Sequence, residues 1–215
     1  MNIEGGNNDN NESIVRRFDE ELGEGENGII IYPNLQSFRQ IYTKYVKDQL
    51  AKEEEDDNNS KDNEQLKSRI ILIATFYETV DSVKHHLSAV GVQNIQSLID
   101  NGSLVIVDAF SAYYPDINGM KKLVISLSER ARKEGRVGVT AIVDMGYFFL
   151  FGGDGRATEL INYESSLPPK TEGGNVRGLS CYHGVNYNTL KDNQKKELAQ
   201  KGKKLFQVRE TLTTS

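Results

Sequence analysis

The sequence has little of what builds secreted, membrane-spanning or disulfide-stapled proteins. It contains one cysteine, Cys181, so no intramolecular disulfide can form, and a lone cysteine fits a reducing compartment. No run approaches the roughly 18 apolar residues that a transmembrane helix needs. The first residues show neither the basic start nor the apolar run of a secretory signal. By elimination, we expect a cytoplasmic protein with no membrane partner.

Histidine and cysteine, the usual ligands of zinc, are also scarce. There are three histidines. His85 and His86 are adjacent on a predicted helix, so they point in different directions, and Cys181 with His183 supplies too few ligands for zinc. No Ser-His-Asp or Cys-His arrangement can be argued from so few histidines. We therefore expect no metal, no cofactor and no catalytic residue.

A phosphate loop is missing after the first predicted strand. Such a loop needs glycines whose backbone N–H groups cradle phosphates and a lysine that reaches them. Residues 32–39 read Tyr-Pro-Asn-Leu-Gln-Ser-Phe-Arg and contain neither glycine nor lysine. Pro33 removes a further backbone donor. Tight binding and hydrolysis of ATP at this position are therefore disfavoured.

The net charge of −5 is unevenly distributed. Residues 1–27 and residues 53–64 each carry a net −6, which leaves +7 on the rest of the chain. The composition of 1–27 predicts a disordered acidic tail, although a short helix over Glu12–Leu22 stays open. The acidic run predicts a loop insert over 53–66. A short flexible tail is expected over 211–215.

Between these segments, short apolar runs alternate with segments of helical spacing. The predicted strands are Gly28–Tyr32, Ile70–Phe76, Leu104–Val107, Val137–Val143, Arg177–Tyr182 and Leu205–Val208. Continuous apolar strands that alternate with helices are typical of a sheet buried on both faces. We therefore predict an α/β domain over 28–210 with a mostly parallel sheet and helices on both faces. In such sheets, ligands bind at the carboxyl ends of the strands.

Polar and aromatic residues follow four of these strands. The candidate ligand-binding residues are Tyr32, Asn34, Tyr77, Glu78, Asp108, Asp144 and Met145. Apolar residues followed by Asp also place the Mg²⁺-linked carboxylate of nucleoside triphosphatases. Asp is equally a common helix cap and turn former after a parallel strand. Either a shared pocket or a set of caps can explain the pattern.

The order of these motifs resembles the KaiC/RadA-like branch of the RecA fold. A strand ending in aromatic-Glu leads through a helix, a glycine and a connector to a strand ending in Asp-Ala. The corresponding segments are Phe76–Glu78, Val80–Val90, Gly91, Ile95–Leu104 and Val105–Ala109. The strand that ends at Asp144 resembles the Walker B region of the same branch.

A closer resemblance is to the MEDS domain, a degenerate KaiC-like sensory domain of methanogen and methylotroph proteins. The matching segments are Gly28–Phe38, Asp144–Tyr147, Leu160–Glu164 and Leu179–His183. The sequence departs from that family in the insert 53–64 and in Asp144, which replaces an expected Glu. The resemblance implies a RecA/KaiC-like sheet without ATPase chemistry that senses small molecules, proposed for the family to be hydrocarbon derivatives.

Three functions remain open at the level of sequence. The first is a stand-alone sensory or regulatory domain that binds an unidentified small molecule or a signalling protein. The second is a residual nucleotide binder or weak ATPase that uses Glu78, Asp108 and Asp144 with Mg²⁺. The third is a protein-interaction module whose basic segment 188–215 holds a partner. A homo-oligomer is compatible with each, and direct nucleic-acid binding is not expected because no DNA-reading motif is present.

Overall fold

The computed structural model describes residues 6–59, 68–150, 154–167, 175–199 and 204–208. Six strands are β1 Asn27–Tyr32, β2 Ile70–Thr75, β3 Leu104–Asp108, β4 Val139–Asp144, β5 Val176–His183 and β6 Lys204–Gln207. The helices are α1 Gly6–Glu21, α2 Leu35–Asn59, α3 Val80–Ala89, α4 Ile95–Asp100, α5 Ala109–Tyr113, α6 Gly119–Lys133, α7 Asp154–Ser166, α8 Gly184–Thr189 and α9 Asp192–Ala199. A 3₁₀ helix over Gly146–Phe149 follows β4. Among these residues, none of the helices combines the length and apolar content needed to cross a bilayer.

The six strands form one sheet in the order β3-β2-β4-β5-β1-β6, and every pairing is parallel. Alternate side chains fall on opposite faces. Ala141 and Val143 face one apolar cluster, which helices α5–α9 cover, whereas Ile142 faces a second cluster covered by helices α1–α4. This confirms the predicted α/β class with a parallel sheet, and the arrangement is consistent with a RecA/KaiC-like fold.

The connections after β2 and β4 leave the sheet in opposite directions. These strands are neighbours, but the chain passes from β2 to α3 on one face and from β4 to α7 on the other. A crevice forms where neighbouring connections diverge in this way. The carboxyl ends of β2 and β4 are therefore the place to look for a binding site. We call the segments that follow β1–β5 at this edge of the sheet the rim.

The expectation of a disordered tail over 1–27 is wrong for residues 6–27. Residues 6–21 form α1, and the alternative of a helix over Glu12–Leu22 comes closer to the structure. Ile14, Val15, Phe18 and Leu22 are buried in the second apolar cluster. Their spacing of three to four residues forms one stripe that packs on α2 and the sheet. Burial of this stripe offsets the cost of ordering an otherwise polar, acidic segment.

The predicted loop insert is also corrected in part. Helix α2 continues to Asn59, so residues 53–59 are helical and are not part of a loop. Residues 53–55 are glutamates, which are good helix formers, and the net charge of the segment obscures this. The rest of the insert and the predicted tail 211–215 lie outside the described residues.

Candidate functional site

A buried carboxyl group and a buried phenol meet at the rim. Asp144 ends β4 and Tyr32 ends β1, two strands away in the sheet. Both residues have no exposed surface. The Tyr32 hydroxyl donates to Asp144 Oδ2 at 3.1 Å, and the Gly146 amide donates to Oδ1 at 3.0 Å. Asp144 thus fastens the end of β1 to the turn that follows β4.

That turn is pressed against the residues that follow β2. A methyl group on Gly146 would lie 2.4 Å from the Phe76 ring and 3.0 Å from the Tyr77 ring. Glycine is therefore required here by close approach of the neighbouring rings. Through Gly146, the position of the Asp144 carboxyl group is coupled to Phe76 and Tyr77.

The surroundings of Asp144 favour its neutral form. Burial is the main cause and raises the pKa of Asp144 to about 7, and the nearby Glu78 carboxylate raises it further. The hydrogen bonds from Gly146 and Tyr32 act in the opposite direction because they stabilise the ionised form. Burial, together with Asp144, likewise raises the pKa of Tyr32 well above its usual range.

Glu78 occupies a second polar cluster between α2 and α3. Its side chain is 2% exposed, and Oε2 accepts from Arg39 Nε at 3.1 Å and from Ser82 Oγ at 3.2 Å. His86 Nε2 lies 3.6 Å from the same oxygen. Among the described residues, neither Glu78 Oε1 nor the buried Tyr42 hydroxyl has a hydrogen-bond partner. The pKa of Tyr42 is raised mainly by burial and further by the nearby Glu78.

Two rim residues that follow from β5 were not predicted. The His183 ring lies 5.3 Å from the Tyr32 ring and 5.8 Å from the Tyr77 ring, measured between centroids. The Asn186 side-chain amide donates to the Tyr77 hydroxyl. Their position after a parallel strand is the only signal that the sequence offers, because their contact with Tyr77 depends on the strand order. In the sequence, His183 stands out only as a neighbour of Cys181 and as the end of the segment Leu179–His183 that resembles the MEDS domain.

Large apolar side chains are exposed on the rim. In the described part of the chain, eight large apolar side chains are exposed, and five of these follow β2, β3, β4 or β5. These five are Tyr77, Phe110, Tyr114, Leu150 and Val185. Val185 is 67% exposed and Tyr114 is 62% exposed, and the rings of Phe110 and Tyr114 stack at 5.5 Å. Apolar groups gathered on one edge of a protein commonly mark a binding surface.

Of the seven residues predicted to bind a ligand, the structure brings Tyr32, Tyr77, Glu78 and Asp144 together. Two others act as caps. The Asn34 side chain accepts from the Ser37 amide at 2.9 Å, and Asp108 accepts from the amides of Phe110 and Ser111 at 3.2 and 3.1 Å. This is the cap interpretation that the sequence left open.

Met145 points away from the rim, into the apolar cluster on the opposite face of the sheet from Tyr32. There its sulfur accepts from the Tyr113 hydroxyl at 3.6 Å. Met145 also lines a cavity of about 70 Å³ between α6, α7 and the sheet. The floor of this cavity consists of small side chains on β4 and β5, namely Ala141, Gly178 and Ser180. Small residues under two helices leave space that larger ones would fill.

The start of α2, where a phosphate loop would stand, is already occupied by the protein's own groups. The Ser37 amide is bonded to Asn34, as described, and the Phe38 amide donates to the Asn34 carbonyl at 3.3 Å. The Tyr32 ring stacks on the Phe38 ring at 5.0 Å. Two of the backbone donors that could receive a phosphate group at this position are thus engaged.

No group of three or more His, Cys, Asp or Glu side chains is placed to hold a metal ion within the described part of the chain. Cys181 is fully buried, and burial raises the pKa of its thiol well above the usual range, so it is a core residue and a poor nucleophile. Compared with models of known protein families and with curated proteins, the sequence gives no match.

Proposed function

We propose that this protein is a sensory or regulatory domain whose ligand, an unidentified small molecule, binds on the rim without ATP hydrolysis. The proposed location is the cytoplasm, which the single buried cysteine supports. The proposal rests on binding, with no chemical step assigned to any residue.

One observation carries the proposal. The rim combines exposed apolar side chains with the buried carboxyl group of Asp144, whose surroundings favour the neutral form. Tyr77 belongs to both parts of this surface. The residue is 41% exposed and its hydroxyl accepts from Asn186. The edge of its ring lies against Gly146, whose amide donates to Asp144. Ligand sites combine apolar walls with a few fixed polar groups. Carboxyl groups with shifted pKa values are also concentrated at functional sites.

The engaged amides at the start of α2 argue against a nucleotide triphosphate as the ligand. Phosphate binding needs free N–H donors and a lysine at that position, but residues 32–39 contain no lysine and the amides of Ser37 and Phe38 are already bonded to Asn34. A residual nucleotide site would have to lie elsewhere on the rim.

A protein partner is the second candidate. The Phe110–Tyr114 stack is exposed and projects from the short helix after the edge strand β3. Aromatic side chains that protrude in this way are common in protein–protein contacts. The same surface would then bind a signalling protein instead of a small molecule.

The proposal can be tested by mapping a probe with backbone amide NMR shifts. The probe is 8-anilinonaphthalene-1-sulfonate, an apolar anion with fused rings, and ATP·Mg²⁺ is the comparison. We expect the probe to move the amides of Tyr77, Phe110, Leu150 and Val185 and ATP·Mg²⁺ to move none of them. Probe shifts confined to other surfaces, or a micromolar Kd for ATP·Mg²⁺ by calorimetry, would overturn it.

A further inference from the structure

Asp144 links the carboxyl ends of three strands, β1, β4 and β2, directly or through Gly146. Its carboxyl group binds Tyr32 at the end of β1 and Gly146 after β4. Gly146 in turn lies against Phe76 and Tyr77 after β2. The 3₁₀ helix that starts at Gly146 leads directly to Leu150 on the rim. A change at one carboxyl group therefore reaches several of the side chains that form the proposed binding surface.

In the part of the chain that the structure describes, the groups that most affect the pKa of Asp144 include no basic side chain. The titratable groups that act on it or respond to it are Tyr32 from β1, Tyr77 and Glu78 from the segment after β2, Tyr113 from α5 and Cys181 from β5. All of them are phenols, a thiol or a carboxyl. The nearby bases Arg39 and His86 contact Glu78 instead, and His183 contacts the rings of Tyr32 and Tyr77. An ionised Asp144 is therefore a buried charge without an opposite charge.

We infer that gain and loss of one proton at Asp144 switches the rim between two arrangements. With the proton bound, the carboxyl group stays dry, still accepts from the Gly146 amide, and donates a hydrogen bond to the Tyr32 hydroxyl in place of accepting one from it. When the proton leaves, the charge must be hydrated, so water enters beside Tyr77 and Gly146 shifts away from the rings of Phe76 and Tyr77. The inference rests on the proposed function only in that it makes the binding surface depend on pH.

The pH range of the switch follows from the same environment. Because burial raises the pKa of Asp144 to about 7, the neutral form dominates in mildly acidic solution and the ionised form in mildly alkaline solution. A ligand that covers the rim keeps water away from an ionised Asp144 and so favours the neutral form. Binding is then tighter on the acidic side and takes up a proton.

The test uses the free, full-length protein and needs no ligand. NMR follows three signals between pH 5 and pH 9: the Asp144 carboxyl carbon, the Gly146 amide and the Tyr77 ring. In the wild-type protein we expect all three to change with one shared midpoint near neutral pH. In Asp144→Asn, the Gly146 and Tyr77 signals should stay at their low-pH positions throughout. Asp108→Asn is the matched control, because it changes another strand-end Asp that only caps a helix, and it should titrate as the wild type does.

Two results would overturn the inference. One is an Asp144 carbon signal that shows no midpoint between pH 5 and pH 9 because the carboxyl group is already ionised at pH 5, as it is for an ordinary aspartate. The other is a midpoint near neutrality that leaves Gly146 and Tyr77 unchanged. Should Asp144→Asn fail to fold, Tyr32→Phe serves instead: it removes a donor that stabilises the carboxylate, so the shared midpoint must move to higher pH, and an unmoved midpoint contradicts the switch.

Failure of the switch is distinguishable from failure of the proposed function. If 8-anilinonaphthalene-1-sulfonate binds the rim with equal affinity at pH 6 and pH 8, the binding surface stands and the switch is wrong. If the signals of Asp144, Gly146 and Tyr77 titrate together but 8-anilinonaphthalene-1-sulfonate does not bind to the rim, the switch stands and the proposed function is wrong.

Discussion

The two ends of the sheet differ in how their buried charged groups are paired. At the amino end, Arg69 is buried and its guanidinium holds the Glu24 carboxylate through two hydrogen bonds of 2.5 and 2.8 Å. It also donates to Thr140 Oγ1 and to two backbone carbonyls. Arg177 pairs with Asp19 of α1 at 3.1 Å and with Glu24 at 3.2 Å. These contacts fix α1 to the sheet.

At the carboxyl end, the groups that shift the pKa of Asp144 include no cation among the described residues. Glu78 pairs with Arg39 there but keeps one buried oxygen without a partner. Exposed rings lie on the rim beside these two carboxyl groups. Paired charges at one end stabilise the fold, whereas an unpaired carboxyl and exposed apolar groups at the other end reduce its stability. The proposed binding function would account for this difference, since regions that bind ligands commonly give up stability for function.

The largest effect should come from the stripe that packs α1 at the amino end. Phe18→Ala removes a ring that is 1% exposed, and such a change costs about 3–5 kcal/mol. Urea unfolding measures the loss. Arg16→Ala on the exposed side of α1 is the control and should change the free energy of unfolding by less than about 0.5 kcal/mol. Equal, small effects in both would mean that α1 does not belong to the folded core.

A smaller effect is expected from Asp144→Asn, and it should depend on pH. The pKa of Asp144 is higher in the folded protein than in the unfolded chain. Between pH 4 and 7, the unfolded chain therefore releases a proton that the folded protein keeps, and the free energy of unfolding of the wild type falls as pH rises. Asparagine can still accept from Gly146 and donate to Tyr32 but cannot ionise. The variant should therefore become more stable relative to wild type, by about 3 kcal/mol at pH 8 compared with pH 4. Parallel stability curves over this range would contradict the account.

Arg69→Ala should cost slightly less, about 2–3 kcal/mol, because it leaves two carbonyls without this donor and removes one of the two guanidinium partners of Glu24. Glu24 keeps Arg177 at 3.2 Å and retains access to solvent. Thermal unfolding at neutral pH gives the comparison with Arg136→Ala, which removes a guanidinium bound to Glu134 and Ser103 at the same end of the sheet. If both variants lose the same stability, the network around Arg69 has no special role in fixing α1.

The smallest effect on stability is expected on the rim itself. Phe110→Ser with Tyr114→Ser removes the exposed stack and should change the free energy of unfolding by less than about 1 kcal/mol for the pair. A loss as large as that of Phe18→Ala would show that these rings support the fold and are not a surface for binding.

Strands were predictable from sequence because each buried strand is a short apolar run that needs no distant information. The runs Ile70–Phe76 and Leu104–Val107 lie within a residue or two of β2 and β3. Helix α1 was underestimated because its composition suggests solvated chain, whereas its stability comes from contacts between Phe18 or Leu22 and the sheet cluster. Local composition does not report such contacts.

The candidate site was predictable in part for the same reason. Parallel strands end at one edge, so Tyr32 and Asp144 could be expected near one another. Whether an Asp after a strand faces a crevice or caps the next helix depends on its rotamer and on the turn, which explains why Asp108 and Asp144 differ. The contribution of His183 and Asn186 requires β5 to lie between β4 and β1, and a single sequence does not establish strand order.

The most direct test of the central claim compares the affinity of 8-anilinonaphthalene-1-sulfonate for two double variants by fluorescence titration at pH 6. One carries Phe110→Ser and Tyr114→Ser on the rim; the other carries Val90→Ser and Leu205→Ser, exposed apolar residues away from the rim. The account predicts at least about a tenfold loss of affinity for the rim variant, which corresponds to 1.4 kcal/mol, and wild-type affinity for the other. Equal affinities in the two variants, or a loss confined to the second, would contradict it.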